Sequence, residues 1–234
     1  RTILSLIALI PLYLIAQTQL GESILGENAE GRLGHAVALS ANGSRLAVGA
    51  PLVDGIEPNE GRVYVYEYQN GAWEQLGESI SSTKVLWLGW SLSFSADGNR
   101  LAIGAPGTNH NGYRRGEARV YEWDGTAWVP LGSFIKGAFD ESQLAYDVEL
   151  SADGNTLAIG IPFDPVNGQE AGSVQVYRWE NNEWEQLGET IYGLMAGEKF
   201  GSSIDVSADG TTIAVGAPSH FEADPIPGRA RIFR

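Results

Sequence analysis

The chain has 234 residues, 15 basic against 29 acidic side chains and a formal charge of −14, with 43% hydrophobic residues and no cysteine. That is too apolar for disorder and long enough for a sizeable core without staples. The acidity, with no basic stripe, disfavours nucleic acid. The missing cysteines exclude a disulfide scaffold, a thiolate nucleophile and a thiolate zinc site.

The first element runs Arg1-Thr-Ile-Leu-Ser-Leu-Ile-Ala-Leu-Ile-Pro-Leu-Tyr-Leu-Ile-Ala16. One cation, an uncharged apolar run and a small residue match a secretory signal peptide over residues 1–16, cut after Ala16. A membrane anchor or a core strand are the competing readings, and Pro11 interrupts the run. The missing initiator Met and a last strand-like run ending at Arg234 lead us to expect a fragment of a longer reading frame.

Residues 17–234 are a repeat. Ser-Ala-Asn/Asp-Gly occurs at Ser40, Ser95, Ser151 and Ser207, spaced 55, 56 and 56 residues apart. After each comes an apolar run: Leu46–Pro51, Leu101–Pro106, Leu157–Pro162 and Ile213–Pro218. Next comes a glycine (Gly61, Gly116, Gly172, Gly228) opening an aromatic strand such as Arg62-Val-Tyr-Val-Tyr-Glu-Tyr68. A last phrase, Trp73-Glu-Gln-Leu-Gly-Glu-Ser-Ile80, is echoed at Trp128–Ile135 and Trp184–Ile191, and without its Trp at Gln17–Ile24. Such self-similarity is the mark of a repeat architecture. Each unit reads as four short strands with no helical period. The Asp-Gly between strands 1 and 2 predicts a two-residue type I′ turn with both central residues at positive φ. Strands apolar on both faces predict an all-β β-propeller of four-stranded antiparallel blades, about four of them present and part of a larger propeller. The blades fall at about 34–80, 89–135, 145–191 and 200–234, with 17–24 a spare outer strand able to pair with the last blade and close the ring.

Phe200-Gly201 followed by Gly216-Ala217-Pro218 resembles the FG-GAP repeat of integrin-α-type propellers, with Gly34, Gly89 and, degenerately, Ala145 at the equivalent glycine. The longer phrases are similar to those of secreted bacterial FG-GAP surface proteins. The resemblance implies adhesion as a theme. It also implies calcium sites between strands 1 and 2, yet that connection is here only Ala-Asp-Gly or Ala-Asn-Gly. Asp97, Asp153 and Asp209 therefore read as turn formers, because calcium needs six to eight oxygens. No cofactor and no metal site are expected, with calcium left as an alternative whose loop motif is absent.

The loops between strands 2 and 3 match in length and diverge in sequence, as recognition loops on a rigid scaffold do. They supply the candidate ligand-binding residues Asp54, Asn109, His110, Tyr113, Phe163, Asp164, Phe221 and Asp224. Trp87 and Trp90 belong to one repeat only and are candidates for a special contact. Strand 1 carries Ala38, Ser93, Glu149 and Asp205 in one column with Asp147 nearby, so carboxylates are expected at the central channel. His35, His110 and His220 share no metal spacing, and no nucleophile elbow, phosphate loop or metalloprotease motif is present. The reading is a non-enzymatic binding or adhesion module, secreted or at the cell surface, recognising a protein or glycan and not spanning a membrane once mature. The alternatives are a polysaccharide hydrolase or lyase using the channel carboxylates, and a structural spacer of a large surface protein.

Overall fold

In a computed structural model, residues 18–26, 29–56, 58–110, 113–219 and 227–234 are described. The expected signal peptide lies outside them. Blade 1 comprises β1 (Ala36–Leu39), β2 (Arg45–Ala50), β3 (Arg62–Gln69) and β4 (Ala72–Gln75), paired in chain order and antiparallel. Blade 2 repeats this with β5 (Ser91–Phe94) and β6 (Arg100–Ala105). A small hairpin of β7 (Asn109–His110) and β8 (Tyr113–Arg114) follows, then β9 (Glu117–Trp123), β10 (Trp128–Pro130) and β11 (Ile135–Lys136). Blade 3 has β12 (Asp147–Leu150), β13 (Thr156–Ile161), β14 (Ser173–Glu180), β15 (Glu183–Gln186) and β16 (Ile191–Tyr192). Blade 4 has three strands, β17 (Ser203–Val206), β18 (Ile213–Ala217) and β19 (Arg229–Phe233). The innermost strands β1, β5, β12 and β17 adjoin in series, the radial arrangement of a propeller. No helix occurs among the described residues. None is therefore long and apolar enough to cross a membrane.

The periodicity thus gives the right fold, but one turn differs from expectation. Between strands 1 and 2 only the glycine is left-handed (Gly43, Gly98, Gly154 and Gly210, φ 67–70°). The amide of Gly43 donates to Ser40 at 2.8 Å and Ser40 in turn donates to Arg45. This is a type I turn closed by a left-handed glycine, not the two-residue type I′ turn the Asp-Gly pair predicts. The reason lies in the serine. Ser40, Ser95, Ser151 and Ser207 hydroxyls donate to the Asn or Asp oxygen two residues on, at 2.5–2.8 Å. The same oxygens accept the backbone amide two residues further still, at 3.0–3.1 Å, closing an Asx turn that widens the loop.

The cores lie between blades. Val63 and Val65 of blade 1 pack with Leu92, Phe94, Leu101 and Ile103 of blade 2, and the same columns meet at the next two junctions. Close approach needs the glycines of the two motif halves. A Cβ on Gly49, Gly104 or Gly160 would sit 2.1–2.3 Å from the carbonyl oxygen of Gly89, Ala145 or Gly201 in the following blade.

Residues 18–24 form no strand. They nevertheless sit where a preceding blade would place its outer edge. The Trp73 indole donates to the Leu20 carbonyl at 2.9 Å, as Trp128 does to Leu76 and Trp184 to Leu131.

Candidate functional site

Before each strand 1 the chain makes the same tight passage. One left-handed residue (Arg32, Trp87, Gln143, Lys199) precedes an apolar residue turned inward (Leu33, Leu88, Leu144, Phe200). A second left-handed residue follows (Gly34, Gly89, Ala145, Gly201). Leu88, Leu144 and Phe200 are essentially inaccessible. Positive φ at a tryptophan is uncommon, but its recurrence in every blade makes it part of the frame. The amides of Trp87, Gln143 and Lys199 donate to Asn59, Arg114 and Glu170 of the strand 2–3 loops, at 2.9–3.2 Å. This passage and the variable loops therefore share one face of the propeller.

On that face a row of aromatic rings crosses three blades. His35 lies 4.4 Å from Trp90, Trp90 lies 5.6 Å from Tyr146, and Tyr146 meets Phe163 edge-on at 5.9 Å. Trp87 stacks on Trp90 at 5.3 Å. These spacings suit ring–ring attraction. A cation caps the row at two points: the Arg114 guanidinium 5.5 Å from the Trp87 centroid, and Lys199 Nζ 5.1 Å from Phe163. Both cations also pair with carboxylates, Glu141 and Glu170 respectively, so local charge is balanced. His35 is exposed and the four other rings are half-buried. Burial, then the Arg32 charge, lowers the His35 pKa, so the ring is neutral at pH 7. Gly107 is required beneath Trp87, because a Cβ there would come within 2.5 Å of the indole.

The expected loop residues divide sharply. Phe163 ends the row, and Tyr113 and Asn109 are exposed on the β7–β8 hairpin, where His110 pairs with Tyr113 through the backbone. Asp54 is exposed, accepts the Asn59 amide at 2.9 Å and lines a cleft of about 430 Å³ with Arg32, Leu52 and Asn59. Asp164 is a correction. It is 2% exposed, and its oxygens accept from the Ser173 hydroxyl at 2.6 Å and the Val166 amide at 2.9 Å, so it pins its own loop. Val53 and Thr108, the second residue after Pro in their own blades, are likewise buried. That shared position was the available signal. Phe221 and Asp224 lie outside the described residues. His35 and Tyr146 were missed as partners of Trp90, although all three follow the Gly/Ala of the repeat, where packing does not fix the side chain.

The channel carboxylates do come together. Asp147 accepts from the Ser91 hydroxyl at 2.8 Å in blade 2 and from the Ile204 amide at 2.7 Å in blade 4, joining three blades. Burial raises its pKa against those hydrogen bonds. Glu149 is pushed up to about 7, chiefly by burial and further by Asp147 and Asp205, while a Ser93 hydrogen bond opposes the rise. Asp205 is exposed. Among the described residues no three His, Asp or Glu side chains are placed to hold a metal ion. The turn residues Asp97, Asp153 and Asp209 spend their oxygens on the Asx turns. The Ser207 hydrogen bond, first of several, holds Asp209 at about 2.

No family model matches the chain, and no curated protein does. Solved structures match in fold. The periplasmic gluconolactonase of Pseudomonas aeruginosa superposes with a TM-score of 0.54 at 17% identity, over 85% of this chain and 56% of that one. Hydrazine synthase of Kuenenia stuttgartiensis gives 0.53 at 14%, over 83% and 45%. Saccharomyces cerevisiae Sqt1 gives 0.52 at 13%, over 80% and 43%. This chain spans about half the length of these structures, and the likeness at such identities concerns the fold alone. By its own geometry and by these likenesses, the chain forms four consecutive blades of a β-propeller.

Proposed function

We propose that this chain is a secreted or cell-surface binding module of FG-GAP type, non-enzymatic, which engages a protein or glycan through the loop-bearing face. One observation carries the reading. The framework positions are aromatic wherever the chain reaches them, whereas the position after the Gly/Ala of the repeat changes type, as His35, Trp90, Tyr146 and Ser202, and the row its three rings form with Phe163 lies half-exposed beside the loops that diverge most. Side chains that the fold does not require, set on a rigid frame, are where recognition resides. The test is binding of the purified chain to arrayed cell-surface glycans and extracellular proteins, wild type against Trp90→Ala. A ligand retained by wild type and weakened at least tenfold by the substitution supports the reading. A ligand bound equally by both moves recognition elsewhere.

A second reading follows from the channel. Glu149, held near neutrality beside Asp147 and Asp205, has the pKa a general acid or base requires, which fits a propeller hydrolase or lyase. Turnover of polysaccharides by wild type and its loss in Glu149→Gln would replace the binding reading with this one.

A further inference from the structure

Four rings of the loop-bearing face lie well inside the array of blades. Trp87 and Trp90 enter blade 2, and Tyr146 and Phe163 belong to blade 3, so a blade flanks each of them on either side. Successive ring planes along the row are turned, by 47° from His35 to Trp90, 53° from Trp90 to Tyr146 and 75° from Tyr146 to Phe163. Rings tilted in this way make no flat platform; they make furrows with an aromatic wall on each side. The polar edges of the row are also one-sided. The outer-strand indoles of Trp73, Trp128 and Trp184 each donate to a carbonyl. Among the described residues the indole N–H groups of Trp87 and Trp90 and the Tyr146 hydroxyl have no hydrogen-bond partner, and none of the three is sealed from solvent. The row therefore presents donors and ring faces. Glu141 and Glu170 beside it are paired with Arg114 and Lys199, and those cations already cover Trp87 and Phe163. A cationic ligand finds these two faces taken, and an anionic one meets balanced charge.

We infer that the row binds a proline-rich segment of a partner protein in the polyproline II conformation. The inference rests on the binding reading above and names the ligand class for that face. Such a segment carries carbonyl acceptors along its length, lacks an N–H at every proline and has no internal hydrogen bonds, so it matches a surface that donates. Its pyrrolidine rings are rigid and fit furrows between aromatic walls, and its backbone is already ordered before binding. Three residues advance it by about 9 Å, close to two steps of the row, which measure 4.4 to 5.9 Å each. Prolines three residues apart therefore fall in alternate furrows, and the Trp90 indole and Tyr146 hydroxyl donate to carbonyls between them. A neutral glycan is the competing ligand. Each of its hydroxyls is a donor as well as an acceptor, and the row gives those donors little to bond.

The probe is fluorescein-labelled decaproline, titrated with the whole chain by fluorescence anisotropy beside a labelled Gly-Ser decapeptide. Neutral hexasaccharides of glucose and of N-acetylglucosamine are titrated in parallel by calorimetry. Saturable one-to-one binding of decaproline, at least tenfold tighter than that of the Gly-Ser peptide, is expected. Trp90→Ala should weaken it at least tenfold. Tyr146→Phe, which keeps the ring and removes only the donor, should weaken it about fivefold. No saturable decaproline binding, or binding unchanged in both variants, overturns the inference. Hexasaccharide binding that depends on Trp90, without decaproline binding, overturns it too but leaves the binding reading standing. If no probe binds, the inference falls and the array experiment alone decides the binding reading. If Trp90→Ala does not fold, as read by far-ultraviolet circular dichroism, Tyr146→Phe and the peptide pair decide.

Discussion

The junction between blades 2 and 3 and that between blades 3 and 4 bury the same columns yet are fastened differently. At the first, Arg100 pairs with Glu122 at 2.9 Å and reaches across to the Gly154 carbonyl at 3.1 Å and Asn155 Oδ1 at 2.5 Å in the next blade. Arg45, Glu67, Gly98 and Asn99 form the same latch between blades 1 and 2. At the second junction Thr156 replaces the arginine, and Arg178 stands opposite it where the other blades carry glutamate. There Asp147 accepts from the Ile204 amide inside the channel, and Arg231 of blade 4 donates to the Tyr192 carbonyl of blade 3 at 3.0 Å. A repeat therefore tolerates loss of a rim latch when its apolar columns and glycine contacts remain and a hydrogen bond forms at the hub.

The largest expected effect tests whether the buried columns dominate. Phe200 is fully buried, packs edge-on against Phe233 at 6.0 Å and lies 4.6 Å from the Arg231 guanidinium. Phe200→Ala should cost about 3–5 kcal/mol, as large-to-small changes of buried aromatics do, read from urea unfolding. A loss below 1 kcal/mol would mean that blade 4 is held chiefly at the hub.

The hub has its own signature in pH. Glu149 ionises near 4.5 when unfolded and at about 7 when folded. Between these values the native state holds a proton that the unfolded state has released, so stability falls as pH rises from about 4.5 to 7. The cost is absent below that window and complete above it. Glu149→Gln should flatten the fall, by on the order of 1 kcal/mol once solvent screening is allowed for. Asp147, shifted in the same direction, should leave a smaller residual slope. Melting temperatures measured from pH 4 to 8 decide it, and an unchanged slope in the variant would assign the effect elsewhere.

Much of this was legible in the sequence because propeller blades bury equivalent positions at equivalent places. The period, the strand order and the small residues at Gly49, Gly104 and Gly160 all follow from one repeated phrase. The serine that converts the strand 1–2 turn was visible in that phrase too, but only the geometry shows its hydroxyl reaching the turn carboxylate. The candidate site was less legible. Phe163 and Asp164 are neighbours in one divergent loop, yet the ring joins the half-buried row and the carboxylate is buried against Ser173 and Val166. Loop divergence marks where recognition can reside. It does not say which side chain faces outward, because that depends on the path of the backbone between two fixed strands. The row itself joins residues from three repeats, and only the curvature of the assembled blades brings His35, Trp90 and Tyr146 into contact.

The smallest effect is the most specific test of the rim latch. Thr156 and Arg178 face each other across β13 and β14, where blades 1 and 2 place Arg45 opposite Glu67 and Arg100 opposite Glu122. The buried Nε of Arg178 has no hydrogen-bond partner. Thr156→Arg alone sets two guanidinium groups side by side and should destabilise. Arg178→Glu alone removes the cation that lowers the nearby Asp153 and adds an unpaired carboxylate. The double substitution rebuilds the pair and aims an arginine at the Gly210 carbonyl of blade 4. The two changes should therefore be non-additive, with the double variant more stable than the sum of the singles by about 1 kcal/mol, the scale of a partly buried ion pair with an added hydrogen bond. Strict additivity in a double-mutant cycle would mean that the arginine latch in blades 1 and 2 reflects rim solvation and contributes nothing to holding neighbouring blades together.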